Sequence, residues 1–417
     1  MQSYLIVMVV AVAATAISVP PLRRLSVRTG QLAQPGDRTV HATPTPILGG
    51  GALLVGLLAS LAVASTMDEF EPVFAAPGNL LGVVAAAVVM WLTGLIDDIR
   101  DMSPPAKIAG MVLSGSLLTL VGLTIIYFRV PFLGFTVLPP DMSALITVLW
   151  VVGMANAVNL IDGLDGLAAG IVAIGAGSFF LYGWRLLEVG VIDPSNVGPL
   201  LAVATAGVCL GFLPFNFNPA SIFMGDSGAL LLGLLLAAST IAVGGQSDDP
   251  FSGQSWFFFA PLVIPLFILG VPLLDTVFAV IRRATRRTGV ATADKEHLHH
   301  RLMDRGHGHR RTVVILWAWT AVLSGFVLVP VFTSRGNGIV PIGLTALALL
   351  LFTLFAPRVV KRSSRRRRRR REGEGGGEVD GVSATAGDAP GPSSASDDES
   401  DQAASEKVSP TDPAPTP

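Results

Sequence analysis

Residues 224–244 read MGDSGALLLGLLLAASTIAVG, and this stretch decides the class of fold. From Ser227 to Gly244 the run contains no charged residue, and its length approaches the roughly 20 apolar residues that a helix needs to cross a bilayer. Asp226 stands immediately before the run, so its carboxylate is expected at the N-terminus of a spanning helix. The stretch therefore predicts a membrane protein with polar chemistry at a helix end.

Runs of the same kind recur along the whole chain. Of its 417 residues, 51% are hydrophobic and 14% are charged, whereas ordinary soluble domains carry about 25% charged residues. This composition excludes an ordinary soluble enzyme, and the single Cys209 excludes an intrachain disulfide. We predict an all-α polytopic membrane protein with about eleven transmembrane helices, at Tyr4–Leu22, Ile47–Ser65, Gly78–Ile96, Lys107–Phe128, Ser143–Val158, Leu164–Trp184, Val197–Phe215, Ser227–Gly244, Phe257–Ile281, Thr312–Pro330 and Ile339–Ala356.

Basic residues are concentrated in alternate loops between these runs. The first loop contains Arg23, Arg24 and Arg28, the third contains Arg100 and Lys107, and the ninth is densely basic. Even-numbered loops contain few basic residues and several acidic ones. Because cytoplasmic loops carry the excess of Lys and Arg, the pattern predicts an N-terminus outside and a C-terminus in the cytoplasm.

The chain is predicted to have three parts. Residues 1–357 form the multi-span domain, and residues 358–371 form a basic juxtamembrane segment that is expected to contact anionic lipid headgroups. No aromatic residues are interleaved with its arginines, so nucleic acid is not an expected partner. Residues 372–417 are acidic and contain no aromatic residue, which predicts a disordered tail.

Acidic and amide residues cluster in the predicted cytoplasmic loops. Asp97, Asp98 and Asp101 follow the third run, where such closely spaced carboxylates repel one another unless a cation or proton intervenes. A solvated helix end is the alternative interpretation. After the fifth run, polar residues recur at every third position and are predicted to line one face of a helical turn: Asn156, Asn159, Asp162 and Asp165.

The seventh loop contains Asn216 and the sequence Phe223-Met-Gly-Asp226. Asp226 could simply cap the helix that it begins. Together with Asp97, Asp98 and Asp162 it could instead bind a metal ion, and oxygen-only ligands favour Mg²⁺ or Mn²⁺ over zinc.

The ninth loop contains five of the six histidines. A zinc site is one interpretation, but no cysteine accompanies them. His297, His299 and His300 lie among arginines that suit a diphosphate, including Arg282, Arg283 and Arg301. His307 and His309 are interpreted as ordinary polar loop residues.

Taken together, these motifs resemble those of the polyprenyl-phosphate sugar-1-phosphate transferases, the MraY, WecA and TagO groups. The resemblance runs from about Arg23 to Arg311 and includes the first loop, with Pro35-x-x-Arg38-x-x-His41. That loop departs from the family pattern at Ala33 and Thr39.

The resemblance implies the transfer of a sugar-1-phosphate to a polyprenyl phosphate in a cleft at the cytoplasmic face. It implies that this transfer depends on Mg²⁺, with Mn²⁺ as an alternative ion. It implies catalytic roles for Asp97, Asp98, Asp226, His297, His299 and His300. It implies substrate binding by Asn159, Asp162, Asp165, Asn216, Phe223, Arg282, Arg283, Arg301 and His41. The implied metal ligands are Asp226, Asp98 and Asp162.

Within this family, His297-Leu-His-His-Arg-Leu is similar to the WecA and TagO branch. That branch implies UDP-N-acetylglucosamine as donor, decaprenyl or undecaprenyl phosphate as acceptor, and a bacterial plasma membrane location. The alternatives are the muramoyl-pentapeptide transferase of the same family and, from another class, an ion-coupled transporter. The sequence does not favour one oligomeric state, and a homodimer is one alternative.

Overall fold

The protein is described by a computed structural model that covers residues 1–34, 44–75, 77–130, 134–245, 308–333 and 340–353. We number the described helices in chain order: α1 Gln2–Arg28, α2 Gly50–Ala64, α3 Glu71–Ala75, α4 Pro77–Arg100, α5 Pro104–Leu120, α6 Pro140–Ile161, α7 Leu167–Glu188, α8 Gly198–Asn216, α9 Gly225–Thr240, α10 His309–Thr333 and α11 Val340–Thr353. A 3₁₀ turn, Asp68–Phe70, precedes α3, and a π-helical segment, Ile241–Gly245, follows α9.

Two short antiparallel ribbons complete the described structure. Strands β1 (Leu32–Ala33) and β2 (Thr45–Pro46) pair next to α1, and β3 (Tyr127–Val130) pairs with β4 (Gly134–Val137) between α5 and α6. Neither ribbon forms a core, so the fold is essentially all helical.

Seven of the described helices are long and apolar enough to cross a membrane. An eighth candidate is a bent pair, in which Gly50–Ala64 and Asp68–Ala75 meet at 98°. These helices confirm an all-α polytopic membrane protein. The predicted total of eleven spans stays a prediction, because Phe257–Ile281 lies outside the described residues and α11 is short.

The predicted fourth span, Lys107–Phe128, was wrong at its C-terminal end. Helix α5 ends at Leu120, and Tyr127 and Phe128 belong to β3. Gly122 adopts φ +82° and donates its amide to Thr119 O, while the Leu123 amide bonds to Leu118 O. This pair of bonds is the Schellman motif, in which a left-handed glycine stops a helix even where the following residues are apolar.

Helix α9 lies at the centre of the bundle. It packs against α2, α4, α6, α7 and α8, and every residue from Ser227 to Thr240 is buried. A helix that is apolar on all sides is typical of a protein core or a membrane span, and here neighbouring helices surround it. In contrast, α1 packs on α2 and α8 but exposes Leu5, Ile6 and Val9, which are suited to contact with lipid.

Glycines allow the neighbouring helices α4 and α6 to approach α9 closely. A Cβ atom at Gly94 of α4 would lie 2.4 Å from the Ser227 backbone. A Cβ atom at Gly233 of α9 would lie 2.5 Å from Ala155 Cα on α6. Small residues at such crossings allow helix backbones to meet directly, which favours association in a membrane.

The helices alternate between two ends of the bundle. The end that contains Asp226, here called the site end, also contains the starts of α2, α5 and α10, as contacts to residues 218–226 show. At the far end the Met1 amino group lies 3.5 Å from Glu69.

We expect Gly94→Ala to destabilise the protein, because the added methyl would force the α4 and α9 backbones apart. Overpacking of this kind costs about 1–3 kcal/mol. Thermal unfolding of the purified protein in detergent measures the effect. Gly153→Ala on α6 is the matched control, since nothing lies within 4 Å of its Cβ position. Equal stability of the two variants would contradict the close α4–α9 crossing.

Candidate active site

The start of α9 is capped by a side chain from another helix. Asp98, near the end of α4, accepts hydrogen bonds from the Asp226 amide at 2.7 Å and the Ser227 amide at 3.1 Å. The N-cap residue, Met224, makes no capping hydrogen bond with its own side chain. A carboxylate at a helix N-terminus satisfies donors that lack partners within the helix and is favoured by the helix dipole. Asp98 therefore fixes where Asp226 lies.

Glycines allow this contact to form. Gly225 has φ +67°, and a Cβ atom there would lie 2.5 Å from Asp98 Oδ2. On the other side, Gly50 donates its amide to Met224 O at 2.9 Å, and its own Cβ would collide with Gly228 N. Gly49 and Gly50, at the start of α2, thus support the start of α9.

An ammonium group joins two carboxylates beside this cap. Lys107 Nζ lies 2.8 Å from Asp97 Oδ2 and also contacts Asp226 Oδ2. Asn159 Nδ2 donates to the other Asp226 oxygen at 2.6 Å, and the Met102 amide donates to Asp97 Oδ1 at 2.7 Å. Among the ion-paired residues Asp97, Lys107 and Asp226, Asp226 has the most exposed side chain. Its exposed fraction is 32%, against 18% for Lys107 and 13% for Asp97. It is therefore the member most open to a ligand.

Lys107 was not predicted as a site residue, because its positive charge indicated only the topology. It lies in the first turn of α5, and only residues 101–103 separate α4 from α5. Asp101 takes the left-handed conformation at φ +48° in this turn. A connection this short makes the two helices antiparallel neighbours, so the lysine returns to Asp97. The short spacing was the signal that could have identified it.

Asp162 lies close to the other carboxylates. Burial, and then the charges of Asp226, Asp98 and Asp165, raise the pKa of Asp162 well above its usual range. Carboxylates held together in this way favour a proton or a cation between them. The predicted helical stripe is wrong beyond Asn159, because α6 ends at Ile161. Asp162 and Asp165 therefore belong to the loop that leads to Gly166, which has φ +77°.

Asp165 and Asn216 hold two loops together. Asp165 Oδ2 accepts hydrogen bonds from Asn218 Nδ2 at 2.8 Å and the Ala220 amide at 3.1 Å. Asn216 is 1% exposed, accepts from the Gly166 amide and donates to Ile222 O. Both side chains are engaged with protein groups, and their predicted contacts to substrate stay predictions.

Phe223 forms backbone bonds with the first loop. Its amide donates to Pro46 O at 2.8 Å, and its carbonyl accepts from the Gly49 amide at 3.0 Å. Asn156 donates its side-chain amide to Val152 O and to Met111 Sδ, which directs it into helix packing. The structure thus brings together Asp97, Asp98, Asn159, Asp162 and Asp226, with Asp165 and Phe223 in the adjoining loops and Asn216 at the end of α8.

The remaining predicted site residues lie outside the described residues: His41, Arg282, Arg283, His297, His299, His300 and Arg301. Of the two histidines interpreted as ordinary loop residues, His307 also lies outside them and His309 begins α10.

Within the described ranges, no group of three or more His, Cys, Asp or Glu side chains is arranged to hold a metal ion by itself. The geometry gives the reason, since Lys107 and Asn159 engage Asp226 while Asp98 faces backbone amides. The donor set is nevertheless all oxygen, as Mg²⁺ prefers. Mg²⁺ is commonly bound by one or two carboxylates together with substrate phosphates rather than by a protein cage. The residues fit a metal that arrives with a phosphate ligand.

We expect Asp98→Ala to lower the stability of the protein, because it leaves two amides of a buried helix end unpaired. The loss of a cap costs about 0.5–2 kcal/mol. Thermal unfolding in detergent measures the effect, with Asp101→Asn as control, since asparagine also tolerates the left-handed conformation. An Asp98→Ala protein as stable as the control would show that the cap contributes nothing.

Comparison with known proteins identifies the family. Residues 80–244 match the glycosyl transferase family 4 domain. The chain is 37% identical over 334 residues to the decaprenyl-phosphate N-acetylglucosaminephosphotransferase of Mycobacterium tuberculosis, covering 79% of this chain and 83% of the relative. It is 34% identical over 321 residues to the probable undecaprenyl-phosphate N-acetylglucosaminyl 1-phosphate transferase of Bacillus subtilis, covering 76% and 81%.

A third relative has a different transferred group in its name. Identity to the phospho-N-acetylmuramoyl-pentapeptide-transferase of Enterococcus faecalis is 28% over 316 residues, covering 72% of this chain and 89% of the relative. The motifs, the helical membrane fold and these similarities agree. The chain therefore belongs to the polyprenyl-phosphate sugar-1-phosphate transferases of glycosyl transferase family 4.

Proposed function

We propose that the protein transfers N-acetylglucosamine-1-phosphate from UDP-N-acetylglucosamine to a decaprenyl or undecaprenyl phosphate and releases UMP. The observation that carries the proposal is the cluster of Asp97, Lys107 and Asp226 at one end of an apolar helix bundle. The names of the relatives at 34% and 37% identity support the sugar and the lipid acceptor. The product would be the first lipid-linked intermediate of an envelope polysaccharide.

The position of the cluster suits these two substrates. A nucleotide sugar arrives from water and a polyprenyl phosphate from the bilayer, so they can meet only where helices end. Arg28 is the last residue of α1 and Arg100 is the last residue of α4, and both lie at the site end. Basic residues favour the cytoplasmic side of a membrane. We therefore place the site in a cleft at the cytoplasmic face of a bacterial plasma membrane, in a protein of about eleven spans with its N-terminus outside and its C-terminus inside.

The reaction needs positioning and charge neutralisation more than covalent chemistry from the protein. An oxygen of the lipid phosphate attacks the β-phosphorus of the donor, forming a new P–O bond. The bond from that phosphorus to the bridging oxygen breaks, and UMP leaves with the electron pair. Lys107 would exchange its carboxylate partners for the diphosphate, and Asp97 would then face the acceptor phosphate. Asn159 holds the Asp226 carboxylate in place through its amide.

Mg²⁺, or Mn²⁺ in its place, would be held by Asp226, with Asp98 and Asp162 nearby. Bound there, it would neutralise the charge that develops on the diphosphate. Asp226 is suited to this role because its side chain is more exposed than those of its ion-pair partner Lys107 and of Asp97. Asp98 is less suited, since both of its oxygens accept backbone hydrogen bonds.

The other predicted residues complete the proposal. Asp162, Asp165, Asn216 and Phe223 would surround the donor nucleotide. The phosphates would be contacted by residues from the parts of the chain that the structure does not describe: His41, Arg282, Arg283, His297, His299, His300 and Arg301. A transporter is disfavoured, because the carboxylates lie at helix ends, whereas carriers bind their substrates near the bilayer midplane.

A donor panel tests the proposal. Purified protein is supplied with polyprenyl phosphate, Mg²⁺ and either UDP-N-acetylglucosamine or UDP-N-acetylmuramoyl-pentapeptide, and the released nucleotide is identified by chromatography. We expect UMP with the first donor only, and none without lipid phosphate. Release with the pentapeptide donor alone would replace the proposed donor with the muramoyl one. Absence of UMP with both donors would contradict the proposed function.

We expect Lys107→Met to lower kcat about 100- to 1000-fold, the loss seen when one preorganised electrostatic donor is removed. Lys107→Arg keeps the charge and should retain more activity. Arg100→Gln, which removes a basic residue from the end of α4, is the control and should keep kcat within about twofold. The assay is UMP release at saturating substrates. Equal kcat for Lys107→Met and Arg100→Gln would remove Lys107 from the site.

A further inference from the structure

Helix α10 contacts a loop of the candidate site at two points. This loop, Phe217–Met224, joins α8 to α9 and is here called the α8–α9 loop. Arg310, in the first turn of α10, donates from Nε to Asn218 O at 2.9 Å. Two turns later, the Trp317 ring lies 5.6 Å from the Phe217 ring, centroid to centroid. Residues seven apart share one helix face, so both contacts come from the same side of α10.

Trp317, which makes the second contact, also packs against α7. Trp317 donates from Nε1 to Leu167 O at 3.4 Å, and a Cβ at Gly170 would lie 2.0 Å from the Trp317 ring. The position of α10 along α7 is therefore fixed by a large side chain over a glycine. Arg310, in contrast, is exposed. Its hydrogen bond is thus separable from the fold of the bundle.

Arg310 and Asp165 hold the same residue of the loop from two sides. Asp165 accepts from the Asn218 side chain and from the Ala220 amide, while Arg310 binds the Asn218 carbonyl. Asn218 is thereby fixed in both side chain and backbone. The next residues lead directly to Phe223 and to Asp226 at the start of α9. Loss of either partner would free the part of the loop that precedes these two residues.

We infer that Arg310 is a positioning residue for the donor nucleotide. It holds the α8–α9 loop through the Asn218 carbonyl and so sets the affinity for the donor rather than the rate of transfer. The inference rests on the proposed function, in which residues of this loop surround the nucleotide. Arg310 itself is not required to touch the donor, because it acts through Asn218. Asp226 is held independently by Asp98, Asn159 and Lys107, so the transfer step is preserved.

Kinetics of UMP release separate binding from transfer. Arg310→Ala should raise the KM for UDP-N-acetylglucosamine about 3- to 10-fold, the scale of one net hydrogen bond, and leave kcat within twofold. Arg311→Ala is the matched control, because it removes the same charge from the neighbouring exposed position. Arg310→Lys keeps the charge and tests whether charge alone is sufficient. A charge effect would raise KM equally in Arg310→Ala and Arg311→Ala, and that result would overturn the inference.

Hydrogen exchange provides a readout that does not depend on activity. The Ala220 amide bonds to Asp165 and the Ser221 amide to Phe215 O, so both report on the loop. Peptides spanning residues 217–223 should exchange faster in Arg310→Ala and at the wild-type rate in Arg311→Ala. Unchanged exchange, or a fall in kcat with unchanged KM, would overturn the inference alone. A wild-type protein that releases no UMP would instead overturn the proposed function.

Discussion

The hydrogen bonds from the α9 N-terminus to the Asp98 carboxylate are the interaction on which the rest of the site depends. They join two helices that Gly94 allows to cross closely, and they hold Asp226 in the first turn of α9. Because Asp97 precedes Asp98 on α4, the same contact brings a second carboxylate to Asp226. The short turn to α5 then places Lys107 between these two groups. One helix cap thus organises three helices into a single cluster.

The balance of charge in this cluster explains what it can bind. Among the described residues, Lys107 is the cation paired with carboxylates here, whereas Asp97, Asp98, Asp162 and Asp226 are all acidic. Burial raises the pKa of Asp162 well above its usual range, and the negative charges of Asp226, Asp98 and Asp165 raise it further. A diphosphate alone would be repelled by such a site, since like charges at short range in a partly buried setting interact strongly. A divalent cation that accompanies the diphosphate would reverse the repulsion, so the substrate and the metal are expected to bind together.

Much of this arrangement could be predicted from local sequence patterns. Apolar run length predicted the spanning helices, and the position of Asp226 before such a run predicted its place in the first turn of α9. The pairing of Asp98 with backbone amides, and of Asp165 with Asn218, could not be predicted, because these partners are more than 50 residues apart and meet only through helix packing. The end of α5 was mispredicted since apolar length conceals the left-handed Gly122. Lys107 was overlooked because its role depends on how α4 and α5 pair.

We propose that the metal and the donor diphosphate meet at the start of α9. Anomalous scattering from crystals grown with Mn²⁺ and UDP-N-acetylglucosamine tests it most directly, because manganese is located independently of the protein. We expect one strong peak about 2.0–2.2 Å from an Asp226 carboxylate oxygen, close to the distance expected for Mg²⁺, and a much weaker peak without the nucleotide. A peak in the nucleotide complex that lies away from Asp97, Asp98, Asp162 and Asp226 would show that the metal and the diphosphate do not meet at the start of α9.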